Sequence, residues 1–338
     1  MLHESASTPS NTEFVLEEEN KDAIIHAAAY HRRDYDRSVI YLDPSDDGSV
    51  GESLLHTFPQ PPTAHLGTLR QLPLEILHEI CLYLDFESLF RFRQINRRSR
   101  QIIGALRHYQ PLVEHGQDFL RVLMKTRAAG ETLMSELFAT LCSEKCAVCG
   151  SFGSFVFLLS CTRSCADCLQ QAPQLQAVTL SAAANTLRTT PKSLRKIIPS
   201  LCIIPGIYTT GKVPWKNRIH IVAAAHLQQL QPPKDREIRA NLGKPIYSFL
   251  GTTTLPYFDD LTKTPQHGLS CGGCQVAVEL GLVTPTRDGW QFRDRVYSCD
   301  GFLRHFQWCA QAQDLWKSSL EGDSNPTKSE WIRRGGWI

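Results

Sequence analysis

No hydrophobic run in this sequence is long. Runs such as Phe155–Leu159 fall far short of the roughly 20 apolar residues a membrane-spanning helix needs. The first residues, MLHESASTPSNTEF, lack a basic segment leading into an apolar one, which argues against an export signal. Neither sign of charge dominates: 36 Lys and Arg against 34 Asp and Glu leave +2, giving no global reason to expect nucleic acid or anionic membrane as a partner. Several catalytic signatures are missing too: there is no P-loop, no G-x-G-x-x-G after a strand, no G-x-S-x-G and no H-E-x-x-H. No repeat recurs at a period of about 20 to 50 residues, which argues against a propeller or leucine-rich solenoid in the C-terminal part. The expectation is a cytoplasmic and/or nuclear protein, where thiols stay reduced.

What the chain does have is enough length, 338 residues, for two or more domains. Residues 1–67 read as a disordered N-terminal tail, with acidic and polar runs and a Pro59, Pro61, Pro62 cluster, relieved only by a short helix within Thr12–Tyr30. Residues 68–110 read as short helices. Residues 111–170 predict two more helices, Pro111–Ala129 and Glu131–Leu141, and then a cysteine-rich stretch. Residues 171–265 are broken by Pro191, Pro199, Pro205, Pro214 and Pro232–Pro233 into short helices and irregular segments. Residues 266–319 hold a second cysteine cluster and a helix, and 320–338 a polar tail. The fold class expected is mainly α with small β elements.

Between Leu69 and Tyr109, apolar residues recur at Leu72, Ile76, Ile80 and Leu84, with Leu77 and Cys81 beside them. Pro73 suits a first helical turn, where its missing N–H costs nothing. Asp85 is placed to cap a second helix carrying Leu89 and Phe92, and a third runs from Arg97 through Ile102, Ile103 and Leu106. Three such short helices carry more apolar positions than they can mutually bury, which implies a partner surface. A basic run (Arg91, Arg93, Arg97, Arg98, Arg100, Arg107) reads as a solvated face or one turned to an acidic partner rather than to nucleic acid.

The ordered set Leu72-Pro73, Glu75-Ile76-Leu77, Tyr83-Leu84-Asp85, Ser88-Leu89 and Ile95-Asn96-Arg97-Arg98 resembles an F-box. Ser99 departs from the pattern, since the family often carries tryptophan there. The resemblance implies a three-helix module that binds a Skp-type adaptor and, through it, cullin and RING subunits, with an unknown protein substrate held elsewhere on the chain. Carried over by position, Leu72 and Pro73 lead the contact, with Ile76, Ile80, Leu84, Leu89, Ile95 and Ile102 facing Skp or supporting the face.

Twelve cysteines in a reducing compartment call for an explanation other than disulfides. Cys146-x2-Cys149 and Cys165-x2-Cys168 have zinc-ribbon spacing, in which two tight turns each present two thiolates. Gly150 and Gly153 allow the first turn, and the Phe155–Leu159 run reads as a strand. Cys142 and Cys161 compete for places in that set. Cys271-x2-Cys274, followed by His305-x3-Cys309, predicts a C2HC site with Gly272-Gly273 as its knuckle, the histidine and last cysteine on one helix face, and Ser298 or Asp300 as cap. Cys299 is the competing ligand there, whereas Cys81 and Cys202 read as packing residues. About two structural zinc ions are expected. Neither site offers an open coordination position or a carboxylate base.

C-x2-C-G-x-F-G, then C-x-R-x-C-x2-C, I-P-G-x-Y at Ile204–Tyr208 and the late C-x2-C with H-x3-C are together similar to fungal F-box proteins with a cysteine-rich body. This implies a three-helix F-box followed by an irregular, zinc-stabilised α+β domain, non-catalytic, serving a ubiquitin ligase. Two other functions fit the same features: a zinc-dependent nucleic-acid-binding or transcriptional regulator, and an F-box protein acting with Skp outside a ligase.

Overall fold

The computed structural model describes residues 14–43, 48–55, 65–208, 214–230, 245–283 and 287–336. The chain is mainly helical with short antiparallel strands, and it divides into two compact units: Asp34–His267, and Met1–Arg33 together with Gly268–Ile338. No helix of the described residues is long and apolar enough to cross a membrane.

In the Asp34–His267 unit, local chemistry sets the first helices. Pro73 sits at the N-cap of Leu74–Leu82, just ahead of the first turn. The Asp85 carboxylate accepts from Ser88 N at 2.8 Å and starts Phe86–Ile95. Asn96 and Ser99 then form a reciprocal capping box on Arg97–Gly104: Ser99 N donates to Asn96 Oδ1 (2.9 Å), while Asn96 N donates to Ser99 Oγ (3.1 Å). The departure at Ser99 is therefore a fully buried cap. The expected Pro111–Ala129 helix is two, Tyr109–His115 and Gln117–Thr126, broken at Gly116, where a side chain would meet Leu112 O at 2.8 Å. The next helix, Met134–Leu141, packs into the same core as Phe86, Leu89, Leu112, Phe119 and Leu137.

That core continues under a three-stranded antiparallel sheet of Thr162–Ser164, Phe155–Phe157 and Thr252–Thr254. A second sheet pairs Ala177–Thr179 and Leu201–Cys202 with the central strand His220–Ala223. The 171–265 region thus contains sheet where short helices and irregular segments were expected. Strands of two to four residues are too short for alternation to register, and their partners lie far away in sequence. Part of this region, residues 209–213 and 231–244, lies outside the described residues.

The other unit corrects the expectation of a disordered 1–67 tail. Of that stretch, residues 1–13, 44–47 and 56–64 lie outside the described residues, but Lys21–Ala28 is a helix whose Ile24, Ala27 and Ala28 are buried. Ala29–Tyr30 then forms an antiparallel pair with Ser270–Cys271. Phe14 meets the Phe306 ring edge-on at 5.2 Å. The segment is ordered because its apolar residues complete a core with Phe302, Phe306, Leu315 and Trp316, which a reading for local periodicity does not detect. The 320–338 stretch is likewise not merely polar: Glu330–Arg334 is helical and Ile332 is buried.

Candidate metal centres and docking face

The hairpin Phe155–Ser164 and the helix Ala166–Gln171 assemble the first cluster. Cys146 lies on a knuckle where its N–H donates to Ser151 O (2.6 Å) and its carbonyl accepts from Gly150 N (2.9 Å), with Gly150 at φ +75°. Cys165 is the N-cap of the helix and Cys168 lies in its first turn. The donor atoms of Cys146, Cys149, Cys165 and Cys168 all lie within 4.8 Å of one another, with Cys149 Sγ and Cys165 Sγ 3.6 Å apart.

The second cluster has the same plan. Cys271 caps Gly272–Glu279 and its sulfur accepts from Cys274 N at 3.4 Å. Cys274 Sγ lies 3.2 Å from His305 Nε2, and Cys309 Sγ lies 3.7 Å from Cys271 Sγ and 4.0 Å from Cys274 Sγ. The expected single-helix face for His305 and Cys309 is not what forms. His305 lies in the last turn of Cys299–Phe306, which Ser298 caps, and Cys309 is the N-cap of the next helix, Ala310–Ser318. A turn between the helices brings the two ligand atoms together.

The chemistry of both donor sets fits zinc. Bonds of about 2.3 Å in a tetrahedron imply sulfur–sulfur edges of about 3.8 Å, and the separations above match. Within each cluster the thiols bias one another through their hydrogen bonds. The Cys165 thiol, by donating to Cys146, pulls that thiol down to about 4 against the cost of burial and is itself driven up. Donation from Cys271 and Cys274 lowers Cys309, while Cys271 is raised well above the ordinary thiol value. A dication held by either donor set would displace those thiol protons and stabilise the sulfurs as thiolates.

Cys142, Cys161 and Cys299 stand outside both clusters. Burial pushes the Cys142 and Cys161 thiols up to about 11, and Cys299 upward as well.

Two further residues hold these centres in place. Arg163, 3% exposed, donates to the carbonyls of Thr140 (3.0 and 2.9 Å), Gly153 (2.6 Å), Leu255 (2.9 Å) and Pro256 (2.9 Å). Its own carbonyl accepts from Ala147 N (3.0 Å), so it ties the first knuckle to the sheet. A side chain at Gly153 would meet Arg163 Cγ at 2.6 Å. The sequence marks this residue only as the one arginine of C-x-R-x-C. Tyr297 stacks on the His305 ring, with centroids 4.9 Å apart and planes 17° apart, and orients it. No local spacing announces that contact.

The predicted Skp set divides by burial. Pro73, Ile76, Ile80 and Ile95 are exposed, and Leu72 and Leu84 half-buried. Leu89 and Ile102 are buried, so they support the face from inside. Leu69, Leu74 and Tyr83 add exposed apolar surface that the carried-over set did not include. The basic run is not uniformly solvated. Arg93, 1% exposed, donates to the carbonyls of Ser53 and Leu54 and lies over the Tyr109 ring, while Arg91 pairs with Glu87 and Arg107 with Asp260.

A short helical unit with an uncovered apolar strip is the build of an adaptor-docking module. Residues 69–110 match the sequence model of the F-box domain, so the chain carries an F-box domain there. No curated protein and no solved structure matches it. F-box domains in general bind Skp and thereby join cullin–RING ubiquitin ligases.

Proposed function

We propose that this chain is a non-catalytic F-box adaptor whose zinc-stabilised body presents a bound protein substrate to a cullin–RING ubiquitin ligase. The observation that carries the reading is the exposed strip Pro73, Leu74, Ile76, Ile80, Tyr83 and Ile95 on the matched F-box residues. Exposed apolar surface of this kind is stabilised by a partner, and burying each Leu or Ile is worth roughly 1.5–3 kcal/mol. Ligase subunits held at one end and a client at the other give the high local concentration that ubiquitin transfer requires. Cys146, Cys149, Cys165 and Cys168 would hold one zinc ion, and Cys271, Cys274, His305 and Cys309 a second. With four protein ligands each, both ions serve structure. A cytoplasmic or nuclear setting, where the thiols stay reduced, belongs to the same reading.

The test is affinity purification of wild type beside Ile76→Asp/Ile80→Asp. The reading expects Skp and cullin with wild type and neither with the variant. Skp without cullin would point to action outside a ligase, and absence of both from wild type refutes the adaptor role.

A further inference from the structure

A cleft of about 510 Å³ opens in the Asp34–His267 unit, lined by residues from neither thiol cluster nor the exposed F-box strip. Its size is that of a ligand pocket. Four stretches distant in sequence converge on it: the Ala129–Glu131 turn with the Met134–Leu141 helix, the turn after Phe155–Phe157, Pro199–Leu201, and the Ala224–Leu230 helix. Leu158, Leu159 and Leu201 supply buried apolar surface, while Glu131 and Glu136 are exposed carboxylates. His226 adds an imidazole whose buried Nδ1 has no partner. Cys161, in the same lining, holds a left-handed backbone at φ 47°, a conformation that costs free energy and often accompanies binding sites.

We propose that this cleft binds a lysine- or arginine-bearing segment of the client protein. This rests on the adaptor reading and deepens it. Among the described lining residues both formal charges are negative and none is lysine or arginine, so a cation meets carboxylates of one sign. Burial holds the His226 ring below its ordinary value, so it adds no opposing charge near neutral pH. The leucines suit the methylene stem that lysine and arginine bury while their charged end reaches a polar rim. An acidic segment would meet two carboxylates without a counter-charge. A wholly apolar one would take water from them and return no hydrogen bond.

The test uses the full-length, zinc-loaded chain and three fluorescein-labelled heptapeptide pools, with central arginine, norleucine or glutamate, read by anisotropy. The arginine pool is expected to bind tightest and to weaken with salt. Glu131→Gln/Glu136→Gln should weaken it by about tenfold or more, the scale of one charged hydrogen bond. The amide at position 136 still accepts from Leu133 N, so the helix keeps its cap. Ala139→Trp, which fills the cleft from its exposed side, should abolish binding in a protein that still carries its metal. Equal binding of all pools, indifference to both variants, or binding of free spermidine with no pool bound overturns the proposal. Skp capture on the same preparations separates the two readings: Skp bound without peptide refutes the cleft, and peptide bound without Skp refutes the adaptor.

Discussion

Ala29 and Cys271 face each other in an antiparallel pair, although most of the chain lies between them. One of the four donors in the second cluster is therefore held by backbone from the N-terminal segment. Gly272 shares the arrangement: a side chain there would meet Ala28 O at 2.9 Å.

Deleting residues 1–33 should consequently cost the chain one of two zinc equivalents, because Ile24, Ala27 and Ala28 leave the core around Phe302 and Phe306. Elemental analysis of wild type and truncation checks this. Two equivalents retained in the truncation would show that the segment does not hold the second site.

Gly273→Ala should destabilise the same unit by more than about 2 kcal/mol, since overpacking against rigid backbone is costly. The added methyl would overlap the backbone of Ala312. Gly281→Ala pays only for its positive φ, with nothing within 4 Å. Thermal melts of the two variants should separate them clearly.

Arg163→Met should cost at least about 3 kcal/mol, because it strips the carbonyls of Thr140, Gly153, Leu255 and Pro256 of a charged donor and leaves the Gly153 and Leu255 bonding sites buried. Arg163→Lys should recover only part of this, since an ammonium cannot reach four acceptors in the guanidinium's plane. Urea midpoints measure both.

Cys81, Cys142 and Cys161 have thiols pushed up to about 11 by burial, from an ordinary 9.0. A raised acid is favoured in its neutral form by folding, so this contribution is complete below pH 9 and is lost as pH rises through 11. Stability should fall across that window, and Cys161→Ala should flatten the fall. At pH 8 all three should resist iodoacetamide in the folded protein, which mass spectrometry can score.

Leu89→Ala should destabilise by about 2–5 kcal/mol, as a cavity-forming change in a core does, because Leu89 is 0% exposed. Ile95→Ala, at a position 69% exposed, should leave the melting temperature unchanged and act only on Skp capture. Melts run beside the capture assay distinguish support from contact.

What the sequence determined by itself is what depends on near neighbours. Asp85 and Ser298 were legible as caps because a capping oxygen meets an N–H two or three positions on. The C-x2-C pairs were legible because two sulfurs that close in space can sit on one knuckle or helix start. Apolar spacing marked an exposed apolar strip within the F-box. Tertiary structure alone decided the rest: that Leu89 and Ile102 turn inward, that Arg93 and Arg163 are core residues bonded to carbonyls, that His305 and Cys309 meet across a helix break, and that the N-terminal segment completes the core beside the second cysteine–histidine cluster. Apart from the local break between His305 and Cys309, these depend on partners distant along the chain, and a long-range pairing leaves no periodic trace in either partner's sequence, because hydrogen bonds and burial are set by proximity in space rather than along the chain.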